Sequence, residues 1–131
     1  MKEPVLCIHV VIDGTYTVKE NDRTASMVTF HGYADCENFC GRILPGAVDT
    51  QYCDGQDFTL SARYILEGRD RDGKSCRIFI ENNGSRGADG KLITKPVVIT
   101  DSEALSWLST ADLYGTVNDE DGGVRIDIYK S

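Results

Sequence analysis

The sequence predicts an all-β protein, a barrel or sandwich of about eight strands with one short helix near residues 101–110. Three observations carry that expectation. Short runs rich in Val, Ile, Thr, Tyr and Phe recur between Gly, Asp and Asn, the pattern of strands joined by tight turns. The stretch "FTLSARYILEGRDRDGKSCRIFI" reads as a hairpin of definite register. The chain of 131 residues shows no repeat, linker or low-complexity tract, so residues 1–131 read as a single barrel domain, long enough to bury a core without a disulfide or a metal.

The strands are expected near 4–13, 26–33, 39–45, 57–68, 75–82, 92–99, 111–118 and 123–130. The first, "PVLCIHVVI", is apolar at both alternating sets of positions and should be buried on both faces. Within it, His9 reads as a hydrogen-bonded core residue. "GRILPGAVDTQ" puts a turn-forming Pro45-Gly46 before Asp49 and Gln51, which share one side of an extended chain. In the central hairpin Phe58, Leu60, Ala62, Tyr64 and Leu66 share a face, as do Cys76, Ile78 and Ile80. Pairing those faces needs an odd loop, and Arg71-Asp72-Gly73 supplies three residues with glycine at the left-handed position. Tyr64 then opposes Ile80 and Leu66 opposes Ile78. On the other face Arg63 meets Glu81, Ile65 meets Phe79, and Glu67 meets Arg77.

"DRDG" at 70–73 resembles half a calcium loop, but the twelfth position from Asp70 falls inside a strand, so a hairpin turn is the better reading. "NDEDGG" at 118–123 is the turn of the last hairpin. The helix is read from "TDSEALSWLSTADL": Thr100 and Glu103 form a capping-box pattern, and Ala104, Leu105, Trp107 and Leu108 form an apolar stripe. Trp107 is expected to pack that helix onto the sheet.

Composition excludes several functions. The net charge of -7 is spread along the chain, with 5 basic against 9 acidic residues up to position 65 and 9 against 12 beyond it. No basic stripe exists to attract a phosphate backbone, so no nucleic-acid partner is expected. No secretory leader and no membrane-length apolar run is seen, which points to the cytoplasm and to no membrane partner. Five cysteines without a C-x-x-C pattern suit reduced thiols. His31, Cys36 and Cys40 cluster within ten positions, but the second ligand pair of a structural zinc site is missing, so neither metal nor cofactor is expected.

The chemistry on offer is modest. No phosphate loop, dinucleotide fingerprint, nucleophile elbow or H-E-x-x-H occurs. His31, at a strand end, and Asp49 are the candidate proton-transfer residues. Gln51, Arg63, Phe79 and Glu81 are the candidate ligand-binding residues, the Arg63–Glu81 pair orienting a polar group if it lies in a pocket. Tyr64 and Arg63 face opposite ways, and the site is assigned to the Arg63 face.

"GRILPGAVDTQ", "DFTLSARYILEG" and "CRIFIENNG", followed by "ALSWLSTADLYGTV" and "VRIDIYKS", resemble the bacterial domain of unknown function family 3237, also called uncharacterised protein family 0311. The likeness is strongest over 39–84. It implies a closed barrel similar to allene oxide cyclases and lipocalin-like proteins, and it carries Asp49, Gln51, Arg63, Tyr64, Glu81 and Asn82 over as family features. The family has no general assigned activity. Where many relatives have an aromatic-Arg-Thr run, this chain reads "KLITKP", with Ile93 in the arginine's place.

The expected function is therefore binding of a small apolar ligand bearing a polar group, with a cofactor-free isomerisation or cyclisation as its extension. A non-enzymatic homo-oligomeric module, with the doubly apolar first strand and the Ile65/Phe79 face buried between identical subunits and no pocket, is the alternative.

Overall fold

The computed structural model describes residues 2–86 and 89–131. Nine strands follow one another: β1 (Leu6–Glu20), β2 (Arg23–Asp35), β3 (Phe39–Ile43), β4 (Val48–Asp54), β5 (Asp57–Asp70), β6 (Ser75–Arg86), β7 (Leu92–Thr100), β8 (Leu113–Glu120) and β9 (Gly123–Lys130). Every pairing is antiparallel, and β1 pairs with both β2 and β9, which closes the sheet. Closure leaves no open edge along the barrel.

The barrel has eight staves, because β3 and β4 are successive halves of one. Both pair with β2 on one side and β5 on the other, running in the same direction. Between them, Pro45, Gly46 and Ala47 stand opposite the single residue Tyr64: the Leu44 amide donates to Ile65 O at 2.8 Å, and the ladder resumes at Val48↔Arg63. Pro45-Gly46, with Gly46 at φ 104°, is thus a bulge inside a stave. The strand Val48–Asp54 is not among those the sequence pattern predicts.

The central hairpin has the expected register throughout, from Arg63↔Glu81 to Glu67↔Arg77. Asp70 N donates to Lys74 O at 3.0 Å, so the loop is Arg71-Asp72-Gly73, with Gly73 at φ 77°. Near this turn Gly41 and Gly68 stand opposite each other, and a Cβ on Gly68 would collide with the Cys40 carbonyl oxygen. Two strands approach there as only glycines allow.

Two expectations are corrected. The outer face of β1 is not buried: Val11 is 37% exposed, and His9 lies on that outer face, half-buried, bonded through Nδ1 to Glu120 Oε1 at 2.7 Å and stacked on Tyr33. In place of a helix over 101–110 there is a single 3-10 turn, Ser106–Ser109. The capping box does not form. Thr100 Oγ1 donates to Arg77 O at 2.7 Å instead, while Ser102 Oγ accepts from Leu105 N at 3.2 Å and donates to Asp70 Oδ2 at 2.7 Å. The segment has only to drop Leu105 and Leu108, 0% and 2% exposed, into the barrel end, and a three-residue spacing on a 3-10 turn does that. Trp107 is left half-buried beside them, with Lys130 Nζ 5.8 Å from its ring centre.

This plug closes one end of the barrel. The half toward the β5–β6 turn is solid, packed with Leu6, Ile8, Phe39, Leu66, Ile78 and Ile128. The half toward the other turns holds a cavity. Among the described residues no helix is long and apolar enough to cross a membrane.

Candidate functional site

The cavity has a volume of about 360 Å³. Val10, Val28, Phe30, Phe58, Leu60 and Ile126 supply apolar wall, and Asp49, Gln51, Tyr64, Asn82 and Arg86 supply the polar groups. Strand periodicity puts them there. Asp49 and Gln51 are two apart on β4, as are Leu60, Ala62 and Tyr64 on β5, so each set projects inward. The ladder also sets Asp49, Ala62 and Asn82 side by side on three strands. A small alanine between two polar residues leaves room above it.

Among the described residues, four buried side-chain polar atoms lack a hydrogen-bond partner, and three belong to cavity-lining residues: Asp49 Oδ1, Tyr64 OH and Asn82 Oδ1. The fourth, Thr94 Oγ1, is off the cavity wall. Buried polar groups are nearly always paired, so three orphans around one apolar space form a recognition pattern. Asp49 keeps one bond, accepting from Gln51 Nε2 on Oδ2 at 2.9 Å. Burial raises its pKa above the usual carboxylate value, with the Gln51 bond pulling the other way. Burial also pushes the Tyr64 phenol upward, so it stays a protonated donor. Its ring meets Phe30 edge-on, centroids 5.5 Å apart. At the mouth the Arg86 guanidinium lies 5.2 Å from the Phe58 ring centre and donates to Gly90 O at 3.2 Å.

No protein-family model matches the chain. Over 89 residues it is 36% identical to a UPF0311 protein of Clostridium acetobutylicum, the alignment taking in 64% of this chain and 53% of that protein. The chain thus spans about half the length of that curated relative. A crystal structure of a protein with unknown function from the same bacterium superposes with TM-score 0.83 at 25% identity, covering 99% of this chain and 95% of that one. A protein of unknown function from Rhodopseudomonas palustris gives 0.80 at 19% identity over 99% and 96%. An enzyme from Penicillium herquei gives 0.73 at 16% identity over 96% and 92%, a likeness of fold.

In this barrel the residues singled out from sequence separate. Asp49 and Gln51 line the cavity. Arg63 and Glu81 pair at 3.1 Å on the outer wall, where Asn83 Nδ2 also donates to Glu81 Oε1 at 3.0 Å. Phe79 lies beside Ile65 on that outer wall. His31 is outside too, its Nδ1 2.6 Å from Asp13 Oδ1. The assignment of the pocket to the Arg63 face is therefore corrected: Tyr64 and Leu66 point inward, and alternation sends Arg63 and Ile65 outward. His31, Cys36 and Cys40 do not gather, and among the described residues no group of three His, Cys, Asp or Glu side chains is placed to hold a metal. The five cysteines are free thiols.

Sequence reasoning kept Tyr64 and Asn82 out of the site and missed Arg86. The signal for Tyr64 was present in the unbroken apolar face Phe58–Leu60–Ala62–Tyr64–Leu66, which a barrel turns inward. Arg86 carried none, since β6 was read to end before it.

Proposed function

We propose that this barrel holds a small, uncharged, mainly apolar molecule bearing a hydroxyl or N–H group, and that Asp49 moves a proton on it. The observation that carries the reading is the trio of unpaired atoms, Asp49 Oδ1, Tyr64 OH and Asn82 Oδ1, on the wall of an otherwise apolar cavity. Two of the three are oxygens that accept, so they favour a ligand that donates. Tyr64 OH donates in return to a ligand oxygen. A ligand carboxylate would stand against Asp49 and is disfavoured. A raised carboxyl pKa brings Asp49 nearer to the range where it both takes and returns a proton. Isomerisation and cyclisation need such a transfer and no net oxidation, so a cofactor is not called for. The solved neighbour from Penicillium herquei is an enzyme, which makes catalysis on this fold a natural extension of binding.

Calorimetric titration with a naphthol, with naphthalene and with the matching naphthoate tests the reading. The naphthol should bind most tightly, naphthalene more weakly, and the naphthoate least. Equal affinities for naphthol and naphthalene would remove the role given to the three polar atoms.

A further inference from the structure

The outer wall opposite the cavity's polar side carries an apolar row framed by alternating charge. At one level of the sheet Leu44, just past the end of β3, lines up with Ile65, Phe79 and Ile99 on β5, β6 and β7, through the Leu44–Ile65 hydrogen bond and the Ile65↔Phe79 and Phe79↔Ile99 pairs. Ile65 is 37% exposed and Ile99 64%. Two residues along on one side, Arg63 and Glu81 form an ion pair. Two residues along on the other, the sign alternates across four positions: Arg42, Glu67, Arg77 and Asp101. Arg42 and Arg77 both reach Glu67, at 3.8 and 2.7 Å, and Asp101 Oδ1 accepts from Arg77 N at 2.8 Å.

This pattern is its own complement. Consider a second copy related by a two-fold axis that lies just above this outer face, parallel to the strands and midway between β5 and β6. Arg63 then faces the partner's Glu81, Glu67 faces the partner's Arg77, and Arg42 faces the partner's Asp101. Ile65 meets the partner's Phe79, and Leu44 the partner's Ile99. We propose that this face is the isologous two-fold interface of a homodimer. The apolar row supplies the attraction, as in the core of an interface. The charges set register and partner choice. Sheets packing face to face with nearly aligned strands is an ordinary arrangement. A second exposed apolar group, Tyr16, Val18 and Met27 on the β1–β2 hairpin, has a single ion pair at its turn, Glu20 with Arg23, in place of a row of alternating sign.

Sedimentation of the full chain at micromolar concentration, with circular dichroism as the check on folding, tests the proposal. The wild type should be a dimer and Ile65→Glu a monomer. The exchange Arg63→Glu/Glu81→Arg keeps the internal ion pair and, about the stated axis, keeps the complementarity, so it should still dimerise. Mixed with isotopically labelled wild type and weighed by native mass spectrometry, it should form fewer mixed dimers than random pairing gives, because a mixed dimer sets like charges together at two positions. A monomeric wild type overturns the proposal. So does a dimeric Ile65→Glu protein, which would point to the β1–β2 hairpin, or random mixing of the exchange variant. Should Ile65→Glu fail to fold, the mixing experiment decides alone.

Discussion

Removing the Tyr64 hydroxyl should stabilise the ligand-free protein and weaken its grip on a hydroxylated ligand, two effects of opposite sign from one atom. Tyr64 is 5% exposed and its OH has no partner. Leaving a buried hydroxyl unpaired costs roughly 1–3 kcal/mol. Water entering the cavity of the free protein recovers part of that, so Tyr64→Phe should gain about 1 kcal/mol. The ring contact with Phe30 is kept, so no packing loss offsets the gain. For a chain of this length, about 1 kcal/mol moves the thermal midpoint by roughly 3–5 °C. Against the naphthol, the variant loses one neutral hydrogen bond, about 1 kcal/mol net, or roughly fivefold in Kd. Differential scanning calorimetry of the free protein and titration with the naphthol read the two effects separately. A lower midpoint, or an unchanged Kd, would refute the argument, since either means that the hydroxyl already has its partner or that the ligand sits elsewhere.

Other outcomes follow from the same geometry. Because burial raises the Asp49 pKa in the folded state, its contribution to stability is fully present below its unfolded value near 3.8 and is lost as pH rises through the raised value. Asp49→Asn should therefore match the wild type in acid and exceed it at neutral pH, in denaturant titrations across that range. Arg63→Ala should leave naphthol binding unchanged and stability within about 1 kcal/mol, as for an exposed ion pair. A lost affinity would return the site to the outer wall. Leu108→Ala, which empties the plug, should cost about 2–5 kcal/mol in denaturant unfolding. Gly68→Ala should also destabilise, by about 1–3 kcal/mol or more, since the clash is with the rigid backbone of β3; a neutral result there would mean the two strands are free to part.

Local features of this chain were legible without its fold. The β5–β6 register and its three-residue loop came from alternation and one glycine, because a hairpin is a local structure whose turn length and side-chain period admit few pairings. The strand Val48–Asp54 was hidden because "VDTQYCD" puts acid and amide at positions that alternation marks as inward. Polar residues on an inward face look like loop until there is a cavity for them to line. The apolar stripe at 104–108 suggested a helix for a related reason: spacing alone separates helix from 3-10 turn poorly when the stripe is only one turn long.

The sequence by itself determined that this is an all-β chain of short strands, which residues share a face, and which pairs meet across the central hairpin, since all of these follow from period and turn chemistry acting over a few residues. Only the tertiary structure decided which face is inside. Closure between β1 and β9 turned Tyr64 and Asn82 inward and Arg63 and Glu81 outward. The Leu105–Leu108 plug filled one end of the barrel and left the other as a cavity. Closure depends on contacts between residues more than a hundred positions apart, such as Leu6↔Ile128, and the seating of the plug on ones such as Ser102 with Asp70, and no local pattern encodes either.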